Sequence, residues 1–481
     1  MGEPRRQEKE SESLGAEMQA LQCPPSSQPG DYYHNIGRNL LWTKQDRGIE
    51  SMWLEGFLRT QLRRLLTKET HIALENKMPS LESKFQDIDE FGLYLHIPFC
   101  RQICPYCPYN KEIYHPEVAE RYTDAVKKEI DVYSDLIGNK PVTSFYIGGG
   151  TPTTMLHSGL GNILEHIFKN LNMQCDIHME SHPNDLSLDN LNTIKSLSIK
   201  NLSTGVEALQ DKYLKILNRP YNTKEVKAAV EKAVNNGFTC FNVDFIFALP
   251  NQTYSELEQA GHELVEMGID QVAAYPLFNF PYTKMGESAK HSNYNIRNIF
   301  KRRNMLHILE DIFYDKKYER TSVWAFTKEG VPKYCSVTVP LYVGLGASGG
   351  SYLRDIFYLN TFNVAEYIKR LESGRMPIAL SLDLSESMQM AWWLYWRVYE
   401  TRFKRSDFEK RFGKKFNEIY GKYIKLSSLF GFIKKDDGNE VALSDKGAFW
   451  LHALEDLFSL DYISKLWGTS KQEPWPEKVI L

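Results

Sequence analysis

The sequence predicts an α/β protein: a partial or complete (β/α) barrel with an N-terminal helical extension and a helix-rich, winged-helix-like C-terminal domain. Three observations lead to this fold class. Six short apolar segments alternate with helical segments between residues 91 and 278, which is typical of repeated βαβ units. Several of these apolar segments end in polar residues, and barrel enzymes place their chemistry at such strand ends. From Ser381 onward the order becomes helix, helix, helix and hairpin.

Composition places the chain among soluble, cytoplasmic globular proteins, since 42% of its 481 residues are hydrophobic and 25% are charged. With 58 Lys and Arg against 61 Asp and Glu, the chain has no basic excess of the kind that marks nucleic-acid binders. Seven Cys in a long chain do not form the framework of a secreted disulfide protein. The polar N-terminus lacks the apolar core of a signal peptide, and no stretch is apolar enough to span a membrane. We therefore expect neither a nucleic-acid nor a membrane partner.

Four regions are predicted along the chain. Residues 1–30 are rich in Ser, Gly, Pro and Glu, so we expect a disordered tail. Residues 31–90 form the helical extension, in which MWLEGFLRTQLRRLLTKET carries apolar residues at helical spacing. Residues 91–360 hold the barrel, and residues 361–481 form the C-terminal domain, which we interpret as a cap on the barrel rather than a DNA-binding module.

The barrel elements follow one another in a regular order, which fits a barrel better than a short open sheet. The predicted strands are FGLYLHIP (91–98), SFYIGGG (144–150), CDIHMES (175–181), NLSTGVEA (201–208), CFNVDFIFALP (240–250) and QVAAYPLF (271–278). The predicted helices between them cover residues 116–136, 185–198, 211–217, 223–236 and 253–267. A basic helix near 294–317 and strands at 320–327 and 337–345 precede the Gly-rich segment GLGASGG.

The strongest chemical signal is the segment CRQICPYC, which places Cys100, Cys104 and Cys107 directly after the first strand. Three thiolates in one short loop can converge on one centre, and soft sulfur ligands suit zinc or an iron–sulfur cluster. A structural zinc site normally has four protein ligands, and His96 and His115 flank the loop. A [4Fe-4S] cluster on three Cys leaves one iron open to another ligand. Both kinds of site stay open at this point.

The cysteine spacing after the first strand, followed by YIGGGTPT at the end of the second, resembles the radical S-adenosylmethionine (SAM) superfamily. Within it, the chain resembles the oxygen-independent coproporphyrinogen III oxidase family over roughly residues 90–360. Several motifs in the family's order are far more specific than any one of them. The matching stretches are LYLHIPFCRQICPYC (93–107), FYIGGGTPT (145–153), MESHP (179–183), STGVEALQDKYLKILNR (203–219), FNVDFIFALPNQT (241–253) and VGLGASGGSYL (343–353).

The resemblance implies two cofactors and a class of substrate. The three Cys residues would hold a [4Fe-4S] cluster, whose open iron binds the amino and carboxylate groups of SAM. One electron from the reduced cluster would cleave SAM to methionine and a 5′-deoxyadenosyl radical, with a protein such as flavodoxin or ferredoxin as the electron donor. The substrate would be a small molecule of the tetrapyrrole class.

The resemblance also assigns SAM-binding residues, each of a chemical type that suits its role. Backbone groups of the Gly-rich turn can approach the methionine amino group closely, since Gly has no Cβ. A carboxylate at Glu180 suits the ribose hydroxyls, and a guanidinium at Arg219 suits the SAM carboxylate. A charged residue inside an apolar strand is costly unless paired, which marks Asp244 independently. The implied cofactor-binding residues are Tyr94, Gly149, Gly150, Thr151, Glu180, Glu207, Arg219 and Asp244.

Two positions depart from the pattern of the oxidases. Tyr109 stands where they usually carry a fourth Cys, and Glu207 stands where Gln is usual. Three functions are therefore compared: an oxidase that decarboxylates propionate side chains in porphyrin biosynthesis, a SAM-dependent C-methylase, and a heme chaperone. The N-terminal extension would serve an enzyme as a substrate lid, so we expect an activity like that of the oxygen-independent coproporphyrinogen III oxidases. No catalytic residue is assigned.

Overall fold

The computed structural model describes residues 56–481, except residues 58, 87, 290–295 and 335–339. The predicted disordered tail (1–30) and the first part of the predicted helical extension therefore lie outside the described residues, as do Cys23 and Cys335. Residues 59–67 form helix α1, in agreement with the helical spacing of apolar residues in this stretch.

A single large sheet forms the centre of the molecule. The described strands are β1 (Ala73–Glu75), β2 (Phe91–Ile97), β3 (Phe99–Cys100), β4 (Glu112–Ile113), β5 (Pro141–Gly149), β6 (Asn172–Met173), β7 (Ile177–Ser181), β8 (Ile199–Glu207), β9 (Cys240–Phe247), β10 (Gln271–Pro276), β11 (Tyr318–Arg320), β12 (Ala325–Lys328), β13 (Tyr342–Leu345), β14 (Gly350–Leu353), β15 (Ile356–Asn360), β16 (Ile378–Asp383), β17 (Arg402–Lys404), β18 (Ile433–Asp436), β19 (Glu440–Leu443) and β20 (Lys478–Ile480). The six strands predicted between residues 91 and 278 are all present, each end within three residues of its predicted position.

The sheet has a parallel centre with antiparallel extensions. Its neighbouring strands β10, β9, β8, β7, β5, β2 and β13 all run parallel. Antiparallel strands continue it through β12 and β11 at one end and through β14, β15, β16, β1 and β20 at the other. The parallel centre is the part that positions the site described below.

Helices connect the parallel strands. Beyond α1, the described helices are α2 (Leu81–Phe85), α3 (Pro116–Ile137), α4 (Leu160–Asn170), α5 (Leu188–Ser196), α6 (Asp211–Ile216), α7 (Thr223–Asn236), α8 (Tyr254–Glu266), α9 (Lys284–Ala289), α10 (Ile296–Asp315), α11 (Val364–Glu372), α12 (Glu386–Tyr399), α13 (Arg405–Phe412), α14 (Phe416–Leu429) and α15 (Asp445–Gln472). Asn222 and Thr253 begin α7 and α8 with capping boxes, in which the cap side chain and a Glu three residues later satisfy each other's backbone N–H groups. These local signals explain why both helices could be predicted closely.

The parallel sheet curves into a partial barrel. Gln271 on β10 donates through Nε2 to the carbonyl oxygen of Tyr334 at 3.0 Å, and the ring of Tyr334 lies 5.5 Å from the ring of Tyr146 on β5. Strands β10 and β5 are four places apart, which in a flat sheet would separate them by about 19 Å, with their side chains pointing in the same direction. Because Tyr334 contacts residues of both strands, the sheet must be curved. Among the described strands, no pairing joins the two ends of the sheet. The barrel is therefore a partial one.

The two faces of the curved sheet differ in polarity. Apolar side chains such as Leu202, Val243 and Phe245 pack with the helices in one large buried core. The inner face is polar, whereas barrel interiors are usually filled by branched apolar side chains. Strand pairing aligns its residues in two rows, and we call the space that they line the lumen. One row contains Tyr146, His178, Asn201 and Cys240, and the next contains Glu180, Ser203, Asn242, Gln271 and Thr327.

A buried carboxylate holds the Gly-rich segment that follows β13. Glu129 on α3 accepts hydrogen bonds from the backbone N–H of Gly346 at 2.8 Å and from the hydroxyl of Tyr367 at 2.5 Å. Its second oxygen accepts from Nδ2 of Asn360 at 2.7 Å. Burial raises the pKa of Glu129 to about 7, although these three hydrogen bonds oppose the rise. A Cβ at Gly346 would stand 2.6 Å from the carbonyl oxygen of His96, so this segment lies directly against β2.

Glu129→Gln is expected to remove part of the pH dependence of stability. The folded state raises this pKa from 4.5 to about 7 and so binds more protons than the unfolded state between those values. The free energy of unfolding therefore falls as pH rises through that window, on the order of 3 kcal/mol, and the Gln variant lacks this contribution. Urea unfolding near pH 5 and pH 7.5 measures the difference. Glu120→Gln on the exposed side of α3 is the control, and identical slopes for both variants would contradict the assignment.

The C-terminal residues fold as a helical module with a small sheet of its own. Strands β17, β19 and β18 pair antiparallel beside α12, α13 and α14. Trp393, Phe408 and Phe416 are buried at its centre. The predicted hairpin is present as β18 and β19, and its turn contains Gly438 at a φ of 93°. This order of helices and hairpin is the predicted one, whereas β16 and β20, which also lie within the predicted domain of residues 361–481, belong to the central sheet. Across the described residues, none of the helices is both long and apolar enough to cross a membrane.

Candidate functional site

The cysteine loop is tied to the Gly-rich turn that follows β5. The backbone N–H of Gly150 donates to the carbonyl oxygen of Ile97 at 2.7 Å. The next N–H, of Thr151, donates to the carbonyl oxygen of Phe99 at 2.8 Å. A Cβ on Gly150 would stand 2.8 Å from that oxygen and 3.0 Å from Sγ of Cys100, so only Gly allows this approach. The hydroxyl of Thr151 lies 3.5 Å from the same sulfur.

The three predicted cluster ligands lie close together in this loop. Cys100 is buried, Cys104 and Cys107 are half-buried, and the charges of the latter two act on the pKa of Cys100. Burial raises the pKa of the Cys100 thiol to about 11 and also raises that of Cys107. Metal-bound sulfur is thiolate, so binding of iron must release these protons.

The donor set fits an iron–sulfur cluster better than a zinc ion. In the part of the chain that the structure describes, no three His, Cys, Asp or Glu side chains gather closely enough to bind one metal ion, whereas a cluster spreads its ligands over several irons. His96 uses both ring nitrogens, since Nδ1 accepts from the Tyr94 hydroxyl at 2.8 Å and Nε2 donates to the carbonyl oxygen of Asn110 at 2.9 Å. His115 is exposed at the start of α3. Neither histidine is therefore a fourth ligand in this arrangement.

Gly149 and Glu180 meet at the ends of β5 and β7. Glu180 accepts hydrogen bonds from the backbone N–H of Gly149 at 3.1 Å and from the hydroxyl of Tyr146 at 2.8 Å. Burial raises the pKa of Glu180 despite these two donors. Gly149 has a φ of 121°, and a Cβ there would stand 2.7 Å from the ring of His96. Tyr94 stacks on Tyr146 with ring centres 6.3 Å apart, so two of the predicted residues, Tyr94 and Glu180, contact this tyrosine.

Arg219 connects the cysteine loop to β8. Its Nη1 donates to Sγ of Cys104 at 3.3 Å, and its Nη2 donates to the carbonyl oxygen of Gly205 at 2.7 Å. Its Nε donates to the hydroxyl of Tyr221 at 2.7 Å. The same guanidinium lies 3.7 Å from Oε1 of Glu207, and these two side chains are only 7% and 13% exposed. Arg219 therefore contacts both Cys104 of the cysteine loop and Glu207, one of the two residues that depart from the family pattern.

Glu207 ends β8 in the left-handed backbone region, with a φ of 66°. A Cβ at Gly205 would stand 2.6 Å from Oε1 of Glu207, so the Glu207 side chain folds back over this glycine. Burial raises the pKa of Glu207, while the charge of Arg219 and a hydrogen bond from Tyr106 oppose the rise. The added negative charge is thus balanced within the site by Arg219.

We expect the pair of Arg219 and Glu207 to be coupled energetically. Arg219→Ala leaves a buried carboxylate without its cation and should lower the free energy of unfolding by about 3 kcal/mol. Glu207→Gln added to it should restore part of that loss, because the unpaired charge is then gone. Urea unfolding of both single variants and the double variant measures the coupling, and strictly additive losses would show that the two residues act independently. Arg121→Ala, at a solvent-exposed pair with Glu372, is the matched control and should cost less than about 1 kcal/mol.

Asp244 lies on the lumen face of β9. Its Oδ2 accepts from the hydroxyl of Ser203 at 3.0 Å, and its Oδ1 accepts from Nδ2 of Asn242 at 3.0 Å. Burial, together with the negative charges of Glu207 and Glu180, raises the pKa of Asp244 to about 8. The site therefore gathers three carboxylates whose charges repel one another and are offset by one guanidinium.

Several side chains that hold the predicted residues in place are not among those predicted from the sequence. One signal was available, because polar residues recur two apart along β9 and therefore share a face. The tyrosines offered no such signal, since their contacts depend on which strands and loops become neighbours. The missed residues are Tyr106, Tyr146, Ser203, Tyr221 and Asn242.

The far end of α15 lies against the cysteine loop. Lys471 donates through Nζ to the carbonyl oxygen of Pro108 at 2.8 Å. The ring of Trp467 lies 5.9 Å from that of Tyr109, the position at which the oxidases usually carry a fourth Cys. Tyr109 is half-exposed, so the C-terminal helix covers only part of its ring. The C-terminal domain therefore contacts the candidate site directly.

A family comparison agrees with the geometry. The profile of the radical SAM superfamily matches residues 94–264, a range that contains the cysteine loop, Arg219 and Asp244. The chain carries a radical SAM domain. Proteins of this superfamily use a [4Fe-4S] cluster and SAM, and these are the cofactors that the sequence predicts for this chain.

The chain aligns with two kinds of curated relatives. The heme chaperone HemW of Bacillus subtilis (strain 168) is 26% identical over 381 residues, which cover 78% of this chain and 96% of that protein. The heme chaperone HemW of Lactococcus lactis subsp. lactis (strain IL1403) is 25% identical over 384 residues, which cover 77% and 98%. The oxygen-independent coproporphyrinogen III oxidase of Escherichia coli (strain K12) is 28% identical over 193 residues, which cover 40% and 42%. The chain is thus homologous to a family that includes both the heme chaperones named HemW and the oxygen-independent coproporphyrinogen III oxidases.

A solved structure supports the same fold. The radical SAM enzyme coproporphyrinogen III oxidase (HemN) from Escherichia coli superposes with a TM-score of 0.69, over 80% of this chain and 94% of that chain. The sequence identity is 19%, so this likeness concerns the fold alone. The predicted barrel of the radical SAM type is confirmed.

Proposed function

We propose that the chain binds its [4Fe-4S] cluster through Cys100, Cys104 and Cys107, and SAM through the residues gathered beside them. The observation that carries this proposal is the contact of predicted SAM residues with the thiols: Arg219 lies 3.3 Å from Sγ of Cys104, and Thr151 lies 3.5 Å from Sγ of Cys100. A ligand on the open iron would therefore lie within reach of both. When bound, the reduced cluster supplies the electron that cleaves SAM into methionine and a 5′-deoxyadenosyl radical.

The chain's own residues would bind and orient SAM. Arg219 presents a planar pair of donors that suits the carboxylate of SAM. Glu180, now bonded to a backbone N–H and a tyrosine hydroxyl, presents an acceptor for the ribose hydroxyls. Together with Glu207 and Asp244 it places acidic groups in the pocket, which suits the permanent positive charge of the SAM sulfonium. Tyr94, Gly149, Gly150 and Thr151 complete the proposed set.

We further infer that the chain handles a tetrapyrrole in the manner of HemW, as a heme-binding protein. The HemW relatives align over most of this chain, whereas the oxidase aligns over 40% of it. The two lumen rows contain no Lys or Arg, although coproporphyrinogen carries four propionate groups that need cationic partners. Tyr109 replaces the oxidases' extra Cys. These observations favour a heme chaperone over an oxidase, whereas the sequence alone favours the oxidase.

An activity like that of the oxygen-independent coproporphyrinogen III oxidases is the second candidate. The fold likeness to HemN over 94% of that chain supports it. A barrel and C-terminal additions arranged alike would bind a substrate of the same kind. A C-methylase of the same scaffold is the third. In each case a reduced flavodoxin or ferredoxin is the proposed electron donor.

One set of incubations separates these functions. The reconstituted protein receives SAM and dithionite, with coproporphyrinogen III in one reaction and heme in another. The HemW-like proposal expects 5′-deoxyadenosine, one heme per chain in an absorbance titration, and an unchanged mass of coproporphyrinogen. Loss of carbon dioxide from coproporphyrinogen would overturn it in favour of the oxidase, and gain of a methyl group in favour of the methylase. Failure to form any 5′-deoxyadenosine would contradict the SAM site itself.

A further inference from the structure

The helix α14 ends in apolar side chains that face solvent. Leu429 is 84% exposed, Phe430 is 57% exposed and Leu426 is 52% exposed. Leu429 is the most exposed large hydrophobic residue in the described part of the chain. We call these three residues the apolar tip. Neighbouring exposed apolar side chains of this kind mark contact surfaces, whereas isolated ones need no explanation.

The apolar tip is held in an ordered turn rather than at a frayed helix end. The backbone N–H of Phe430 donates to the carbonyl oxygen of Leu426 at 3.2 Å, and Gly431 follows with a φ of 71°. The ring of Phe430 stacks on that of Phe432 with centres 5.9 Å apart. Lys446 at the start of α15 donates through Nζ to the carbonyl oxygen of Phe430 at 2.9 Å. The exposure is therefore built into the fold.

Lysines flank the apolar tip along the sequence, and Lys446 contacts it directly. Between Glu418 and Asp436 the sequence contains four Lys and no acidic residue. Three of these lysines, and one more at the start of α15, take no part in the ion pairs found among the described residues, and all four are exposed. We call them the lysine collar, and they are Lys422, Lys425, Lys434 and Lys446.

We propose that the apolar tip and the lysine collar bind the surface of an anionic lipid membrane. The apolar side chains would enter the boundary between headgroups and acyl chains, and the lysines would contact the anionic headgroups. The lysine stems are themselves apolar and can lie along the boundary with their ammonium groups in water. The sequence predicts no membrane partner, because it contains no span, and the proposal concerns reversible contact with the surface.

The shape of the patch favours a membrane over another macromolecule. A stable protein interface buries about 800 Å² on each partner, and three side chains at one turn offer far less. Nucleic acid would engage the lysines through its phosphates but would leave Leu429 in water. A lipid surface satisfies both features at once, since it supplies anionic groups and an apolar layer behind them. The proposal does not depend on the SAM site or on the tetrapyrrole.

The test is flotation of the full chain with vesicles at about 0.1 M salt. Vesicles of phosphatidylcholine alone are compared with vesicles that also contain about 30% phosphatidylglycerol. We expect wild-type protein to float with the anionic vesicles only and to be released by high salt. Leu429→Ser should weaken this binding about tenfold, and Lys425→Glu with Lys434→Glu should weaken it at least about 25-fold.

Matched controls carry the same substitutions elsewhere. Leu188→Ser on α5 replaces a leucine that is 58% exposed, and Lys224→Glu with Lys232→Glu reverses two exposed charges on α7. These controls should bind anionic vesicles like the wild type. Absence of wild-type binding, equal binding to both kinds of vesicle, or equal losses in control and tip variants would each overturn the proposal. Unchanged unfolding midpoints show that the tip variants remain folded.

Discussion

Replacing Cys100, Cys104 and Cys107 together by Ala is expected to abolish iron binding. The wild type should hold about four irons per chain after anaerobic reconstitution, and the triple variant should hold almost none. The reason is that thiolates are the ligands such a cluster needs, and His96 beside the loop uses both ring nitrogens in hydrogen bonds and cannot replace them. Iron analysis and the brown charge-transfer absorbance of the cluster measure the effect.

The control removes two cysteines that lie away from the loop. Cys175 precedes β7, and Cys240 is buried in the lumen beside Tyr146 and Tyr334. Cys175→Ala with Cys240→Ala should retain iron and absorbance, since neither thiol touches the three ligands. Loss of the cluster in this double variant, or its survival in the triple variant, would contradict the assignment of the ligands.

The parallel centre of the sheet could be predicted because each of its strands carries its own signal. Short apolar runs alternate with helices that begin at local caps, such as the capping box of Asn222 with Glu225. The strand predicted at 320–327 is instead two strands, β11 and β12. They are joined by a turn in which the N–H of Thr321 donates to the carbonyl oxygen of Ala325. This turn contains no Gly, Pro or Asn, and its one local signal is Ser322, whose hydroxyl accepts from the N–H of Ala325 at 3.1 Å.

The antiparallel extension of the sheet could not be predicted for a different reason. Strand β1 pairs with β20, so that Leu74 lies beside Val479 although about 400 residues separate them in the chain. Both strands have three residues, too few for the alternation of apolar and polar positions to identify a strand. Contacts of this kind depend on the complete fold, and no pattern in the neighbouring sequence indicates them.

Residues of the candidate site could be predicted where several reactive side chains lie in one segment of the chain. They could not be predicted where the site is assembled from several segments. Three Cys in eight residues, and Glu180 and Asp244 each on an apolar strand, are visible in the sequence. The contact of Arg219 with Sγ of Cys104 is not visible, because it joins residues from two different loops. The repulsion among Glu180, Glu207 and Asp244 likewise appears only when the ends of β7, β8 and β9 lie side by side.

That repulsion has a consequence for ligand binding. The pocket holds three carboxylates against the single guanidinium of Arg219, and burial leaves the charge of Asp244 poorly solvated. SAM carries a permanently positive sulfonium group, whereas the amino group that would bind the open iron is neutral in that state. In the proposed site SAM would therefore relieve the repulsion, whereas a neutral thioether analogue would not. We expect the charge of Asp244 to respond to the ligand, because a pKa of about 8 leaves this carboxyl group partly protonated near neutral pH.

Asp244→Ala is accordingly expected to lower reductive cleavage of SAM by about 100-fold or more. The variant removes a carboxylate from the proposed cofactor pocket, so that the hydroxyl of Ser203 loses its acceptor and Asn242 keeps only its hydrogen bond to Ser203. The cluster absorbance should be unchanged, since Asp244 makes no hydrogen bond to a thiol of the loop. Formation of 5′-deoxyadenosine in the presence of dithionite measures the effect. Cleavage at the wild-type rate would show that Asp244 has no part in the SAM site.

Asp244 is also expected to make SAM binding depend on pH. Its carboxyl group, with a pKa of about 8, is mostly protonated at pH 7, and a cationic ligand favours the charged form. Binding therefore releases a proton, and the affinity for SAM should rise as pH increases from about 7 to 9, by up to about tenfold per unit below the pKa. Asp244→Asn cannot titrate and should bind with little pH dependence, whereas Asp189→Asn, an exposed control on α5, should follow the wild type. Equilibrium binding of SAM measured at three pH values tests this prediction. A wild-type affinity that stays constant or falls as pH rises would show that this carboxyl group does not respond to the ligand's charge.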